Sequence, residues 1–273
     1  MINIPTGEFI ILYWPSYMIQ GLIMIFGLCV GSFLNVCIYR IPLESWSIIK
    51  PTSSVCLHCK EKIHFFDNIP VLSYIFLRGK CRHCKTHISI RYPIVEILSG
   101  LFAICLIFRF GFTIDALIYY CLICALLVIT FIDIDYQIIP NVISIPGIPI
   151  GFICALFLKN MDWQSSLIGL LGGGGILFCV AYTYLKIKKI EGIGLGDVKL
   201  LAMLGAFLGL KGVLFIIFMS SAIGTLSGII VMIHERKATL KLAIPFGPFL
   251  SLAAMLYIFW GDVIVYYYVV YIN

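Results

Sequence analysis

Charged side chains are scarce in this sequence: Asp, Glu, Lys and Arg make up 12% of its 273 residues, whereas hydrophobic residues make up 62%. Soluble domains carry about 25% charged residues, so the composition excludes an ordinary soluble protein. The mean hydropathy of +1.07 indicates a polytopic membrane protein instead. We therefore expect the lipid bilayer as a partner and, despite a net charge of +6, no nucleic acid.

Apolar stretches of about 17 to 25 residues can cross a membrane as helices, and the chain contains about eight apolar stretches. They lie at about 17–39, 92–109, 114–132, 142–158, 166–185, 198–210, 212–233 and 244–260. The predicted fold class is therefore all-α, a polytopic membrane protein with about eight transmembrane helices. The stretch after Asp197 is short, so it forms either a separate helix or a re-entrant pair with the next stretch. Two further features predict contacts between helices. Asn35 predicts an interhelical hydrogen bond, and the run Gly172 to Gly175 predicts a close approach of two helices.

Polar sequence is equally scarce, because residues 40–91 form the only sizeable polar region. Nine of the 19 Lys and Arg residues lie there. They are Arg40, Lys50, Lys60, Lys62, Arg78, Lys80, Arg82, Lys85 and Arg91. By the positive-inside rule, this loop is cytoplasmic. Counting spans from it places Asp133 and Asp197 at the same cytoplasmic face.

Two C-x-x-C knuckles stand in this loop, Cys56-Leu57-His58-Cys59 and Cys81-Arg82-His83-Cys84, with 21 residues between them. This spacing is typical of a four-thiolate zinc site. A structural zinc ion would stabilise a loop that has too few apolar side chains to build a core. Two disulfides are the alternative, but disulfides rarely persist in the reducing cytoplasm. The predicted zinc ligands are Cys56, Cys59, Cys81 and Cys84.

Acidic residues touch the apolar stretches mainly in two clusters, Asp133-Ile134-Asp135 and Gly194-Leu195-Gly196-Asp197. Two carboxylates held close together share one proton, so the pair can activate water and protonate a leaving amine. Such a pair would hydrolyse a peptide without a covalent intermediate. In a helix, Asp133 and Asp135 point about 200° apart, so only one of them can face Asp197. The alternatives are aspartates that cap helices or lie in solvent, and a transporter that relays protons or cations.

Together these motifs resemble the type IV prepilin leader peptidases, and the resemblance covers nearly the whole chain. It begins with Gly31-Ser32-Phe33-Leu34-Asn35 and continues through both cysteine knuckles and Arg91-Tyr92-Pro93-Ile94-Val95-Glu96. It ends with Asp133-Ile134-Asp135, Gly194-Leu195-Gly196-Asp197 and Pro245-Phe246-Gly247-Pro248-Phe249. The family usually has an aspartate where this chain has Asn141. Each motif alone is weak, but their joint order is specific.

The resemblance implies an aspartic peptidase of the Gly-x-Gly-Asp type with the catalytic pair Asp133 and Asp197. Its substrates would be the precursors of type IV pilins and pseudopilins, which serve pili and protein secretion. The new N-terminus would then be methylated, with S-adenosylmethionine as the methyl donor. Arg91 and Glu96 are only polar candidates for the donor site, since no glycine-rich nucleotide loop stands out. A peptidase with other precursors is the alternative, but the four-cysteine loop is typical of the bifunctional branch.

The resemblance also implies a location and a division of the chain. The enzyme would lie in the bacterial cytoplasmic membrane with its active site facing the cytoplasm. Residues 1–39 would form the first transmembrane span. Residues 40–91 would form the zinc loop associated with methylation, and residues 92–273 the multi-span peptidase domain.

Overall fold

The structure, a computed structural model, describes residues 17–43, 55–56, 58–188, 194–235 and 245–272, so that Lys50 lies outside the described residues. Within these ranges the chain is helical, with no β-strand and two isolated bridges, Val55 with Lys62 and Lys80 with His87. The helices are α1 (Tyr17–Arg40), α2 (Leu72–Phe76), α3 (Arg91–Phe110), α4 (Ile114–Tyr136), α5 (Asn141–Ala155), α6 (Trp163–Lys188), α7 (Leu195–Glu235) and α8 (Gly247–Ile272). A short 3-10 helix, Phe65–Asn68, precedes α2. The predicted all-α class is confirmed for this part of the chain.

Five of these helices, α1, α3, α4, α6 and α7, are long and apolar enough to cross a membrane. Apolar segments fold as helices in lipid because each backbone N–H and C=O must find its partner within the protein. Two shorter apolar helices, Asn141–Ala155 and Gly247–Gly261, lie in α5 and α8. The chain is therefore a multi-pass membrane protein.

The first of two compact units comprises the described residues of Met1–Val36 and Ser47–Tyr120. In it, the Asn35 side chain on α1 donates a hydrogen bond of 3.0 Å to the carbonyl of Tyr92 on α3. One turn further into the span, Gly31 lies against Glu96. The predicted interhelical bond of Asn35 is thus confirmed.

The second unit comprises the described residues of Cys37–Trp46 and Cys121–Asn273. Its centre is α7, which packs against α5, α6 and α8. Where α6 crosses α7, a Cβ atom at Gly173 would overlap the carbonyl of Leu201. Nearby, the Ser166 hydroxyl donates to the carbonyl of Ala206 at 2.7 Å. The glycine run therefore brings two helices into close contact, as predicted.

The long helix α7 is interrupted at Gly209, whose φ of 69° and ψ of −179° are not helical. A Cβ atom at Gly205 would lie 3.0 Å from the Val213 side chain. Residues eight apart in a straight helix are about 12 Å apart, so the chain folds back at Gly209. The two arms, 195–208 and 210–235, correspond to the predicted short stretch and the stretch that follows it.

Candidate active site and metal centre

Asp133 lies in the last turn of α4 and is only 5% exposed. Its Oδ2 atom accepts a hydrogen bond of 3.0 Å from the backbone N–H of Gly247, the first residue of α8. The first N–H groups of a helix have no partner within the helix and form the positive end of its dipole. The start of α8 therefore holds one oxygen of Asp133 and leaves the other oxygen for a reactant.

Asp197 is the third residue of α7 and is half-buried. Its backbone N–H donates to the carbonyl of Gly194 at 3.1 Å, which fixes the first turn of the helix. The side chain lies close enough to Asp133 for the charge of Asp133 to act on it. The structure thus brings together the two aspartates that the sequence paired.

The side chain of Ile139 lies close to the starts of both α7 and α8. A Cβ atom at Gly196 would stand 3.0 Å from the Ile139 Cβ, and one at Gly247 would stand 3.3 Å from its Cδ1. Ile139 therefore spaces the two helix ends that carry the contacts of the aspartate pair. Sequence reasoning quoted Gly247 only as part of a motif and gave Ile139 no role. The signal in the sequence that could have identified Gly247 is its position directly before Pro248, at the start of an apolar run.

Two polar residues close to Asp133 in sequence, Asp135 and Asn141, have surroundings different from those of Asp133. Asp135 is exposed. Asn141, at the start of α5, accepts a hydrogen bond of 2.9 Å from the Lys199 ammonium on the first turns of α7. An aspartate at this position would form an ion pair with the same lysine. Asn141 thus keeps a link between α5 and α7 without the charge.

The four predicted zinc ligands form a cluster in the first unit. The sulfur atoms of Cys56, Cys59, Cys81 and Cys84 all lie within 4.8 Å of one another, and all four thiols are free. Zinc–sulfur bonds of about 2.3 Å in a tetrahedron separate the sulfurs by about 3.8 Å. The Cys56 and Cys84 sulfurs are 3.8 Å apart. The cluster therefore fits a tetrahedral metal ion, and the free thiols give the disulfide alternative no support.

The two knuckles have the same local fold. In each, the N–H of the first cysteine donates 2.9 Å to a carbonyl five residues on, at Glu61 or Thr86. The residue after the second cysteine, Lys60 or Lys85, has a positive φ near 60°. Such a conformation is rare for lysine, so tertiary constraints must hold it in both turns. The two turns present their sulfurs to one point in the same way.

The thiols of the cluster differ in pKa. Hydrogen bonds from the side chain and the backbone of Thr86 lower the pKa of Cys84 to about 6. A backbone hydrogen bond from Glu61 also favours the thiolate of Cys59, but burial and hydrogen bonds shared with the other sulfurs outweigh it and raise its pKa to about 11. A metal ion binds thiolates, and the lowered pKa of Cys84 favours that form.

One ion pair connects the second knuckle with the 3-10 helix. Arg82 donates to both oxygens of Asp67, at 2.7 Å from Nε and 2.5 Å from Nη2. The hydrogen bonds of Arg82 lower the pKa of the Asp67 carboxyl. Bidentate geometry of this kind fixes orientation as well as distance. The cysteine cluster is therefore held firmly to the Phe65–Asn68 segment.

Glu96, one of the two residues considered for the methyl donor, has an evident role within the fold. It is buried in α3, and its Oε2 accepts the backbone N–H of Val71 at 2.7 Å. It also interacts with the side chain of Ser32. Glu96 therefore fastens the loop to the helix, whereas the guanidinium of Arg91 lies 5.8 Å from the centre of the Tyr92 ring.

Fold and site together define a multi-pass membrane protein with an aspartate pair at helix ends and a separate four-cysteine cluster. The family model described as bacterial peptidase A24 N-terminal domain matches residues 25–110. That of the type IV leader peptidase family matches residues 120–229. No solved structure matches the chain.

Curated relatives extend the match over nearly the full length. A prepilin leader peptidase/N-methyltransferase from Pseudomonas putida is 35% identical over 269 residues, covering 91% of this chain and 92% of the relative. One from Pseudomonas aeruginosa is 35% identical over 261 residues, covering 88% of this chain and 89% of the relative. The chain belongs to the type IV leader peptidase family. The predicted family is confirmed, and the peptidase prediction is favoured over the transporter.

Proposed function

We propose that this enzyme cleaves the leader peptide from type IV prepilins or pseudopilins with Asp133 and Asp197, and then methylates the new N-terminus. The observation that carries the proposal is the buried Asp133, held by the Gly247 N–H and close enough to act on Asp197. The relatives from Pseudomonas are named for both activities, peptidase and N-methyltransferase. The aspartates supply the first activity.

The pair acts on water and on the scissile peptide. One aspartate is ionised and takes a proton from a water molecule, whose oxygen attacks the peptide carbonyl carbon. The other aspartate is protonated and hydrogen-bonds the carbonyl oxygen, so that a tetrahedral diol forms. The nitrogen then receives a proton from the pair, the C–N bond breaks, and a carboxylic acid and an amine result. Because the Gly247 N–H holds one oxygen of Asp133, the free oxygen keeps a fixed direction toward the water.

The four-cysteine cluster would hold zinc. Cys56, Cys59, Cys81 and Cys84 would bind the ion as thiolates, which closes the coordination shell and leaves no open position for chemistry. The ion would therefore stabilise residues 40–91 and not the peptidase pair. About one zinc ion per purified chain is the expected content.

Methylation requires S-adenosylmethionine, which transfers a methyl group to the new α-amine while the amine loses a proton. We place this activity with residues 40–91, and the peptidase with residues 92–273 after a first span at 1–39. Since Glu96 serves the fold, Arg91 is the stronger of the two candidate contacts for the donor. The proposed membrane is the bacterial cytoplasmic membrane, crossed by about eight helices, with both sites at the cytoplasmic face.

The test is a cleavage assay in membranes with a prepilin precursor. We expect Asp133→Asn and Asp197→Asn to leave the precursor whole, and Asp135→Asn to cleave it, since Asp135 is exposed two residues away. Transfer of labelled methyl groups to an already mature pilin should persist in all three variants. Cleavage at the wild-type rate by either of the first two variants would remove the aspartate pair from the mechanism.

A further inference from the structure

The loop between α1 and α3 exposes a group of large apolar side chains. They lie on the segment from the 3-10 helix to the end of α2, here called the 65–76 segment. The exposed fractions are 83% for Phe65, 75% for Phe66, 53% for Leu72, 62% for Ile75 and 82% for Phe76. Several large apolar side chains exposed on one short segment point to an interaction site with a protein or a membrane.

The same segment lies against membrane-spanning helices. Ile69, Val71 and Leu72 line an apolar cleft of about 280 Å³ together with Met24 and Leu28 of α1 and Ile97 of α3. Every residue that lines the cleft is apolar. The segment therefore continues the lipid-facing surface of the two spans.

The depth of this contact follows from the helix lengths. α3 has 20 residues, and at 1.5 Å per residue it spans about 30 Å, the thickness of the hydrocarbon core. Its first turn, with Tyr92, therefore lies at the hydrocarbon boundary, and Asn35 lies at the same level because it bonds the Tyr92 carbonyl. Leu28 is seven residues below Asn35, or about 10 Å, and Ile97 is about 8 Å below Tyr92. Part of the 65–76 segment thus lies inside the hydrocarbon.

A backbone contact supports the same placement. The N–H of Val71 precedes α2 and donates to the Glu96 carboxylate at 2.7 Å, and Glu96 is only 7% exposed. In water this N–H would be satisfied by solvent, whereas in lipid it needs a partner from the protein. A carboxylate inside a span is costly and therefore rare. Here it supplies the acceptor that an inserted turn requires.

The charges around the segment are complementary to a bilayer. Lys60, Lys62, Arg78, Lys80 and Lys85 are all exposed and flank the apolar side chains in sequence. Basic residues beside an inserted apolar surface bind the head groups of anionic phospholipids. The segment thus has exposed apolar side chains, with exposed basic residues on both sides of it in sequence.

We propose that the 65–76 segment is inserted in the bilayer leaflet that borders residues 40–91. Its phenylalanines lie among the acyl chains, and the flanking lysines and arginines lie at anionic head groups. Because Arg82 is bonded to Asp67 of this segment, insertion also holds the four-cysteine cluster at the membrane surface. The proposal rests on α1 and α3 crossing the membrane and is independent of the peptidase activity.

Photo-crosslinking of the full chain tests this placement. The photoreactive residue p-benzoylphenylalanine replaces Phe66 or Phe76 in membranes that contain an alkyne-tagged phosphatidylglycerol. Phe108, exposed on the spanning helix α3, is the lipid-facing reference, and His87, exposed in the same loop and paired with Lys80, is the reference outside the apolar segment. We expect the level of lipid adducts at positions 66 and 76 to match the level at 108 and to exceed the level at 87.

The outcomes separate the possible occupants of the surface. Adducts at 66 and 76 as low as at 87 would overturn the proposal, because the segment would then lie in water. Adducts to an added prepilin precursor in place of lipid would overturn it too, in favour of a substrate surface. Backbone hydrogen exchange of the unmodified protein in lipid nanodiscs is the second measurement. Protection of residues 69–76 there supports insertion, and rapid exchange contradicts it.

Discussion

Gly247 is the residue whose replacement most directly tests the geometry of the aspartate pair. A Cβ atom added there would lie 2.7 Å from the Asp133 Oδ2 and 3.2 Å from its Cγ. Ordinary contacts of such atoms begin at 3.4 Å. Gly247→Ala therefore pushes the carboxylate away by about 0.7 Å, given that interiors are close-packed.

The size of the effect follows from the hydrogen bond that this shift breaks. The distance between the Gly247 nitrogen and the Asp133 Oδ2 is 3.0 Å. It would grow to about 3.7 Å, which is too long for a hydrogen bond. A hydrogen bond to a charged group contributes about 1.5 to 3 kcal/mol. If that bond orients Asp133 in the transition state, kcat/KM falls by about 10- to 150-fold. A shift of about 1 Å costs a comparable 10²-fold in other enzymes.

The assay is precursor cleavage by purified protein in lipid, with thermal unfolding as the check on the fold. Gly175→Ala is the matched control, because a Cβ atom there has nothing within 4 Å. It should cleave normally and gain about 0.5 to 1 kcal/mol of helix stability. A folded Gly247→Ala enzyme that cleaves at the wild-type rate would refute the reasoning, since Asp133 would then not depend on the start of α8.

Three further outcomes follow from contacts elsewhere in the chain. Gly169→Ala would place a Cβ atom against the Gly205 carbonyl, and we expect overpacking to lower the free energy of unfolding by about 1 to 3 kcal/mol; an unchanged melting temperature would contradict this. Thr86→Val removes the side-chain hydrogen bond that favours the Cys84 thiolate, so the pKa rises from about 6. At pH 7 the thiolate fraction then falls, and alkylation of Cys84 in metal-free protein slows by up to about thirtyfold, measured by peptide mass spectrometry with Cys81 as the reference. Equal rates would count against that hydrogen bond. Glu96→Leu leaves the Val71 N–H without its acceptor, so hydrogen exchange near Val71 should accelerate, whereas Glu96→Gln retains an acceptor oxygen and should exchange like wild type.

The spans were the most predictable part of this structure. The stretches expected at 17–39 and 92–109 form Tyr17–Arg40 and Arg91–Phe110. Lipid leaves the backbone no alternative to a helix, so apolar length alone decides where a span lies. The cysteine cluster was predictable for a different reason, because each knuckle is a local turn whose geometry depends on few residues.

The inserted part of the loop was missed for a physical reason. Residues 40–91 were predicted to form the only sizeable polar region, yet Phe65, Phe66 and Phe76 are exposed on the segment that lies against α1 and α3. Apolar runs as short as Phe65-Phe66 or residues 71–77 are too short to be recognised as spans. Depth depends instead on tertiary contacts such as Val71 with Glu96, which are 25 residues apart. The short-range pattern of the sequence does not predict such contacts.

The choice between Asp133 and Asp135 shows where sequence physics ends and tertiary structure begins. Helical geometry says only that the two side chains point in different directions. The direction that matters is set by Gly247, which is 114 residues from Asp133 in sequence and has no periodic relation to it. Because its N–H holds one oxygen of Asp133, that side chain is kept beside Asp197, while Asp135 is left exposed. In the proposed reaction Asp133 directs a water molecule and needs this fixed orientation, since catalysis depends on preorganised geometry. The glycine at the start of α8 therefore belongs with the aspartate pair in that proposal.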